Sequence, residues 1–107
     1  MEADQIVEAL AALAQKSRLA VFRWLVQAGP QGGNPGEIAE QLGLAPATLS
    51  FHLKTLVQAR LVRATQSGRF ICYTADYDAM RALIGYLVDN CCGGDAERCA
   101  PGGECQS

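Results

Sequence analysis

Gly43 stands directly after a short helical pattern, residues 36–42, and three positions ahead of Pro46. A left-handed glycine stops a helix within one residue. Proline fits the first turn of the next helix, where no hydrogen-bond donor is lost. Two helices joined this closely must cross at a steep angle. The second, residues 46–59, runs into two β-type stretches, Leu61-Val62-Arg63-Ala64-Thr65 and Phe70-Ile71-Cys72-Tyr73-Thr74, joined through Gln66-Ser67-Gly68-Arg69. Helix, glycine turn, helix, hairpin is the order of a winged helix-turn-helix. The expected fold is mainly α with a two-stranded β wing.

Three further helices complete the prediction. Residues 4–14 carry Ile6, Val7, Leu10, Leu13 and Ala14 as one stripe, and residues 16–28 carry Leu19, Phe22, Leu25 and Val26. Residues 77–90 present Met80, Leu83, Ile84, Leu87 and Val88 on one face. Gly29 to Gly36 reads as a loop. Inward residues of the two central helices are Ile38, Ala39 and Leu42, then Leu49, Leu53, Leu56 and Val57.

At 107 residues the chain is expected to form one domain over residues 1–90, followed by a cysteine-rich tail, 91–107. A core of this size buries about 65% of the unfolded surface, so dimerisation would help it. No apolar run approaches the roughly 20 residues that span a bilayer, and the acidic start Met1-Glu2-Ala3-Asp4 lacks a signal-peptide layout. A cytoplasmic protein with reduced thiols is expected, in which clustered cysteines bind metal or react.

The net charge of −2 is unevenly spread. From Gln41 to Ala75 there is no acidic residue, while Lys54, Arg60, Arg63 and Arg69 give that stretch +4. A basic stretch in an acidic protein is a footprint for a polyanion, against the plainer reading of a solvated face. At 100° per residue the outward face of 46–59 carries Ala47, Phe51, Lys54 and Gln58, flanked by Thr48, Ser50 and Thr55. Gln58, Thr48 and Ser50 can hydrogen-bond bases or phosphates, and Phe51 or Ala47 can touch a thymine methyl. Lys54 and the wing-tip Arg69 would neutralise phosphates. Phe51 could instead pack on a neighbouring loop. His52 lies at the core boundary, either as a DNA contact or as a structural histidine.

Ala14-Gln15-Lys16-Ser17-Arg18-Leu19-Ala20-Val21-Phe22-Arg23-Trp24-Leu25 resembles the "A-x-x-x-R-L-x-I-L-x-x-L" helix of the ArsR/SmtB family of metal-sensing repressors. Glu37 to Leu44, Thr48 to Leu56, Ala59-Arg60-Leu61-Val62 and the wing Gly68 to Tyr73 continue the likeness, over about residues 5–88. The resemblance implies a homodimer paired through its first and last helices, which blocks promoters until an ion binds. Two departures stand out. Ala45 and Phe51 replace a serine and a histidine of the family's "S-Q-P-T-V-S-H-H-L". The "C-V-C" of many arsenic sensors has no counterpart in residues 33–38, and the last helix has no histidine for a zinc site.

Any inducer site must then use the tail. Cys91 and Cys92 are adjacent, Gly93-Gly94 lets the chain double back, and Cys99 follows six residues after Gly93. Soft thiolates select thiophilic ions. Cys91, Cys92 and Cys99 suit trivalent arsenic or antimony as inducer, and such tail-borne sites resemble those of an arsenite-responsive branch. Adding Cys105 gives four sulfurs, better suited to zinc, cadmium or lead. Cys72, mid-strand, reads as a small buried hydrophobe.

The leading expectation is a repressor of an arsenic-resistance operon. It would bind double-stranded operator DNA at an inverted repeat, without organic cofactor and without catalysis. A thiol redox protein is the rival of another class, but no nucleophile–base pair is visible near the tail. A protein-binding winged helix is the other, against which the acid-free stretch weighs.

Overall fold

The hairpin and helices come from unambiguous local signals, and the computed structural model of the protein, which describes residues 1–94, places them in the expected order. They are α1 (Ala3–Leu13), α2 (Lys16–Ala28), α3 (Pro35–Leu42), α4 (Pro46–Gln58), β1 (Val62–Ser67), β2 (Phe70–Ala75) and α5 (Tyr77–Val88). β1 and β2 are antiparallel, in a register from Val62 opposite Ala75 to Ser67 opposite Phe70. A two-residue turn with Gly68 at φ 63° closes the wing.

At three of the helix starts the N-cap residue's own side chain closes the first turn. Gln15, Asn34 and Asp76 accept the backbone N–H of Arg18, Glu37 and Ala79 at 2.7, 2.8 and 3.0 Å. Each satisfies a donor that the first helical turn leaves open. α4 has no such cap, because Ala45 precedes it, and it begins on Pro46.

The stop between α3 and α4 follows the glycine logic. Gly43 sits at φ 63°, ψ 34°, and the Leu44 N–H donates to the Ala39 carbonyl at 3.0 Å. The same 6→1 closure ends α4, where the Leu61 N–H reaches the Leu56 carbonyl at 3.0 Å. There the left-handed residue is Arg60, at φ 64°.

One core joins these pieces. Val21, Leu25, Ile38, Leu49, Leu53, Leu56 and Leu61 are fully buried, with Val62 and Ala75 anchoring the base of the wing. The predicted inner faces of α3 and α4 hold in most positions, while the three other helices differ from the sequence expectation. In α1 the buried positions are Ile6, Ala9 and Ala12, and Val7 and Leu10 are exposed. Small alanines permit close approach to the body of the fold, so the larger residues turn outward. In α5 only Leu83 is buried, and Ile84, Leu87 and Val88 stand in solvent with Tyr86. Leu19 of α2 is also exposed, and Val21 takes its expected place in the core. The apolar stripes of α1 and α5 are real in the sequence, but the other described residues do not cover them.

The expected loop at 29–36 contains a short 3₁₀ turn, Gly29–Gln31, and then an added bridge to the wing. The Gly33 N–H donates to the Tyr73 carbonyl at 3.0 Å, and the Tyr73 N–H to the Gly33 carbonyl at 2.9 Å. No helix of the described residues is long and apolar enough to cross a membrane.

Candidate functional site

Leu49, Leu53 and Leu56 hold α4 against the core, and its opposite face is thereby turned to solvent. Ala47, Thr48, Ser50, Phe51, Lys54 and Gln58 are all exposed along that face. The Thr55 hydroxyl is engaged within the helix, donating to the Phe51 carbonyl at 3.1 Å. Phe51 is 62% exposed, and its ring meets the edge of His52 at 6.1 Å between centroids. At that exposure the ring faces mainly solvent, in place of the packing on a neighbouring loop that the sequence also allowed.

His52 is placed differently from the DNA-contact expectation. It is only 6% exposed, on the inner side of α4, so its ring is withheld from the outward face. Three residues after Leu49 and one before Leu53, it shares their helical face. Its Nδ1 has no hydrogen-bond partner among the described residues. Burial, and secondarily the Arg18 guanidinium, lower its pKa below the usual 6.5, so the folded state favours the neutral ring.

The sign of the resulting pH dependence is definite. Above pH 6.5 the ring is neutral whether the chain is folded or not, and no penalty applies. As pH falls through 6.5 toward the lowered folded value, the unfolded chain takes up the proton first and stability declines. Asp76 acts in a separate window. Burial raises its carboxyl, but the Ala79 N–H and Arg63 outweigh that and hold it below 3.8, so its contribution is lost only in stronger acid. The melting temperature should therefore fall between pH 7.5 and pH 5, and His52→Gln should flatten that slope. An unchanged slope in His52→Gln would exclude His52 as its source.

The wing adds Arg69, exposed beside Gly68 at the turn. Arg63, counted with the basic stretch, is spoken for: its Nε donates to the Asp76 carboxylate at 2.9 Å. Asp76 lies one residue past the acid-free stretch, so the composition of that stretch does not disclose the pair. Lys54, Arg60 and Arg69 form no ion pair among the described residues. Two clefts connect the wing to α4. One, of about 330 Å³, lies between Pro35, Gly36 and Glu40 on one side and Pro46 and Ser50 on the other. The other, of about 450 Å³, lies between Asn34, Pro35 and Gly36 and the wing residues Arg69, Phe70 and Ile71. The start of α3 thus sits between the recognition face and the wing tip. A helix presented this way, with no carboxylate of its own and a cationic wing, suits a major groove and its flanking phosphates.

Beyond α5 the backbone turns sharply. Asn90, Cys92, Gly93 and Gly94 have φ of 54°, 54°, 67° and 85°. On a regular helix adjacent side chains diverge by about 100°. Here the left-handed Cys92 undoes that divergence, and the Sγ atoms of Cys91 and Cys92 lie 3.8 Å apart; Cys92 is disulfide-bonded in this structure, so the pair would meet an ion as two thiolates only once that bond is reduced. Two sulfurs at about 2.3 Å from a tetrahedral ion would be separated by about 3.8 Å. Cys99 and Cys105 lie outside the described residues, and among the described ones no three His, Cys, Asp or Glu side chains gather as a metal site. Cys72 is partly exposed rather than buried, and its thiol donates to the Gln31 carbonyl at 3.3 Å.

Comparison with known proteins adds the relationship. Residues 13–64 match the family described as a helix-turn-helix domain. The chain is 34% identical over 97 residues to the HTH-type transcriptional regulator KmtR of Mycobacterium tuberculosis, covering 91% of this chain and 68% of that one. It superposes with TM-score 0.66 and 28% identity on the homodimeric winged helix-turn-helix DNA-binding domain of Mb0332 from Mycobacterium bovis, a possible ArsR-family regulator, covering 82% of each chain. HlyU from Vibrio cholerae gives TM-score 0.66 and 28% identity over 86% of this chain and 99% of its own. An ArsR-like transcriptional regulator from Rhodococcus sp. RHA1 shares the fold at TM-score 0.72 and 21% identity, over 89% and 85% of the two chains. On the relative's identity and coverage, together with the helix-turn-helix match, the chain belongs to the ArsR/SmtB family of transcriptional regulators.

Proposed function

We propose that the protein is a cytoplasmic, homodimeric repressor of an arsenic-resistance operon, released from its operator when trivalent arsenic, or antimony, binds Cys91, Cys92 and Cys99. The observation that carries the reading is the pair of sulfurs 3.8 Å apart on a turn that directly follows α5. α5 is also the helix with the largest uncovered apolar face, including Ile84, Leu87 and Val88. With Val7 and Leu10 of α1, that face suits a two-fold partner, because burying apolar side chains stabilises by about 25 cal/mol per Å². Two copies would offer two α4 helices to successive major grooves of an inverted repeat.

Thiolate capture just past a dimer helix couples the two sites physically. An ion that joins Cys91 and Cys92 to a cysteine further along the chain changes how the end of α5 is held. A helix moved at the dimer interface changes the spacing of the two recognition helices. A coupling of about 1–3 kcal/mol, or 5- to 150-fold in affinity, is typical of such linkage.

A repressor responding to zinc, cadmium or lead is the second reading. It is favoured by the agreement of the 3.8 Å separation with the edge of a tetrahedral four-sulfur site, for which Cys105 would be the fourth donor.

The test is fluorescence anisotropy on a labelled promoter fragment carrying an inverted repeat. Arsenite should release the wild-type protein. Cys91→Ser and Cys99→Ser should bind DNA normally and resist release, losing the 5- to 150-fold effect. Wild-type-like release of both variants would refute the site. Release by cadmium, lead or zinc but not by arsenite or antimonite would establish the second reading.

A further inference from the structure

We propose that Phe70, at the tip of the wing, is an apolar wedge that enters the DNA minor groove beside the segment read by α4 and opens a base step there. The inference rests on the operator-binding reading above and adds to it a residue and a DNA deformation.

Phe70 is 71% exposed, more than any other large hydrophobic side chain among the described residues. It pairs with Ser67 at the last rung before the turn, far from Val62 and Ala75, whose burial anchors the hairpin. Core packing therefore does not account for a phenylalanine at this position. Ile71 next to it is also exposed.

The surroundings point to DNA as the occupant. Arg69 precedes Phe70 and forms no ion pair among the described residues. No acidic residue occurs from Gln41 to Ala75, which spans both α4 and the wing. The two clefts flanking α3 share Pro35 and Gly36, one opening toward Ser50 and the other toward Phe70. The wing tip and the start of α4 are thus parts of one continuous surface. With α4 in a major groove, the narrow hairpin end is the element that suits the adjacent minor groove, about 6 Å wide. Apolar side chains inserted between base pairs unstack them and kink the duplex, and neighbouring cations hold the backbone at that point. A phenyl ring with an arginine beside it supplies both.

The test uses the full-length protein and an operator duplex with a donor and an acceptor dye at its two ends. Energy transfer reports bending, and anisotropy reports affinity. The wild type should bend the duplex. Phe70→Ala should lose about tenfold in affinity and most of the bend, with an unchanged salt slope because no charge is removed. Phe70→Leu should recover most of both. Arg69→Ala should lower the salt slope and keep the bend. Equal affinity and bend for Phe70→Ala and wild type would overturn the wedge. So would a change in sedimentation when Phe70 is replaced, since that would assign the ring to a contact between copies. A wild-type protein that binds no operator fragment even at low salt would refute operator binding itself, and the wedge with it.

Discussion

Gly32→Ala should destabilise the protein by about 3 kcal/mol, from the cost of a glycine-only backbone conformation plus the loss of adjacent hydrogen bonds. Gly32 sits at φ 60°, ψ −147°. A Cβ there would lie 2.1 Å from the Tyr73 carbonyl oxygen and 2.6 Å from Thr74 Cγ2. The first of these is backbone and cannot swing aside. The displaced strand is the one that exchanges two hydrogen bonds with Gly33, so the clasp between the loop and the wing should open. Gly43→Ala is the control. Gly43 also has positive φ, +63°, but nothing lies within 4 Å of its added Cβ. Its substitution should cost only the left-handed penalty, about 1 kcal/mol. Urea unfolding would check both, through the midpoint at constant slope. Equal losses at the two glycines would show that the close approach of Gly32 to the wing contributes nothing.

The double variant Lys54→Ala, Arg69→Ala should weaken operator binding by about a hundredfold at moderate salt and flatten its salt dependence. Each subunit would lose two phosphate contacts, so a dimer would lose four. At about 0.9 per phosphate, the slope of log K against log salt should fall by about 3 to 4. The loss should be similar for matched and mismatched sequences, because phosphate contacts position the protein and carry no sequence information. Arg63→Ala provides the contrast. Its guanidinium is held by Asp76 at 2.9 Å, so the slope should barely change. A double variant with the wild-type slope would remove Lys54 and Arg69 from the interface.

The helix-turn-helix was readable because its punctuation is local. Gly43, Pro46 and Gly68 act through their own backbone preferences, and the leucine spacing of α4 is set by helical geometry. The outward positions of α4 followed from the same geometry and were found exposed. His52 was not decidable that way, because it lies at the edge of the leucine stripe, where a small rotation of α4 separates burial from exposure. The Gly33–Tyr73 bridge was equally out of reach. Its partners are distant in sequence, and no periodicity marks a single pair of backbone hydrogen bonds. Phe70 carried an ambiguous signal, since an aromatic in a β-type run normally indicates packing.

Composition and spacing were sufficient for the order of elements, the helix stops, the inner face of α4 and the presence of a cysteine cluster after the last helix, because each depends on neighbours within a few residues. Folding in three dimensions decided the rest. It chose Ile6, Ala9 and Ala12 rather than Val7 and Leu10 as the covered side of α1, and left most of α5's apolar face open. It joined Arg63 to Asp76, buried His52, left Phe70 bare, and set two adjacent sulfurs 3.8 Å apart. These outcomes depend on which surfaces meet and on the local backbone conformation reached in the folded chain, and hydrophobic periodicity records only that a face is apolar, never what will cover it.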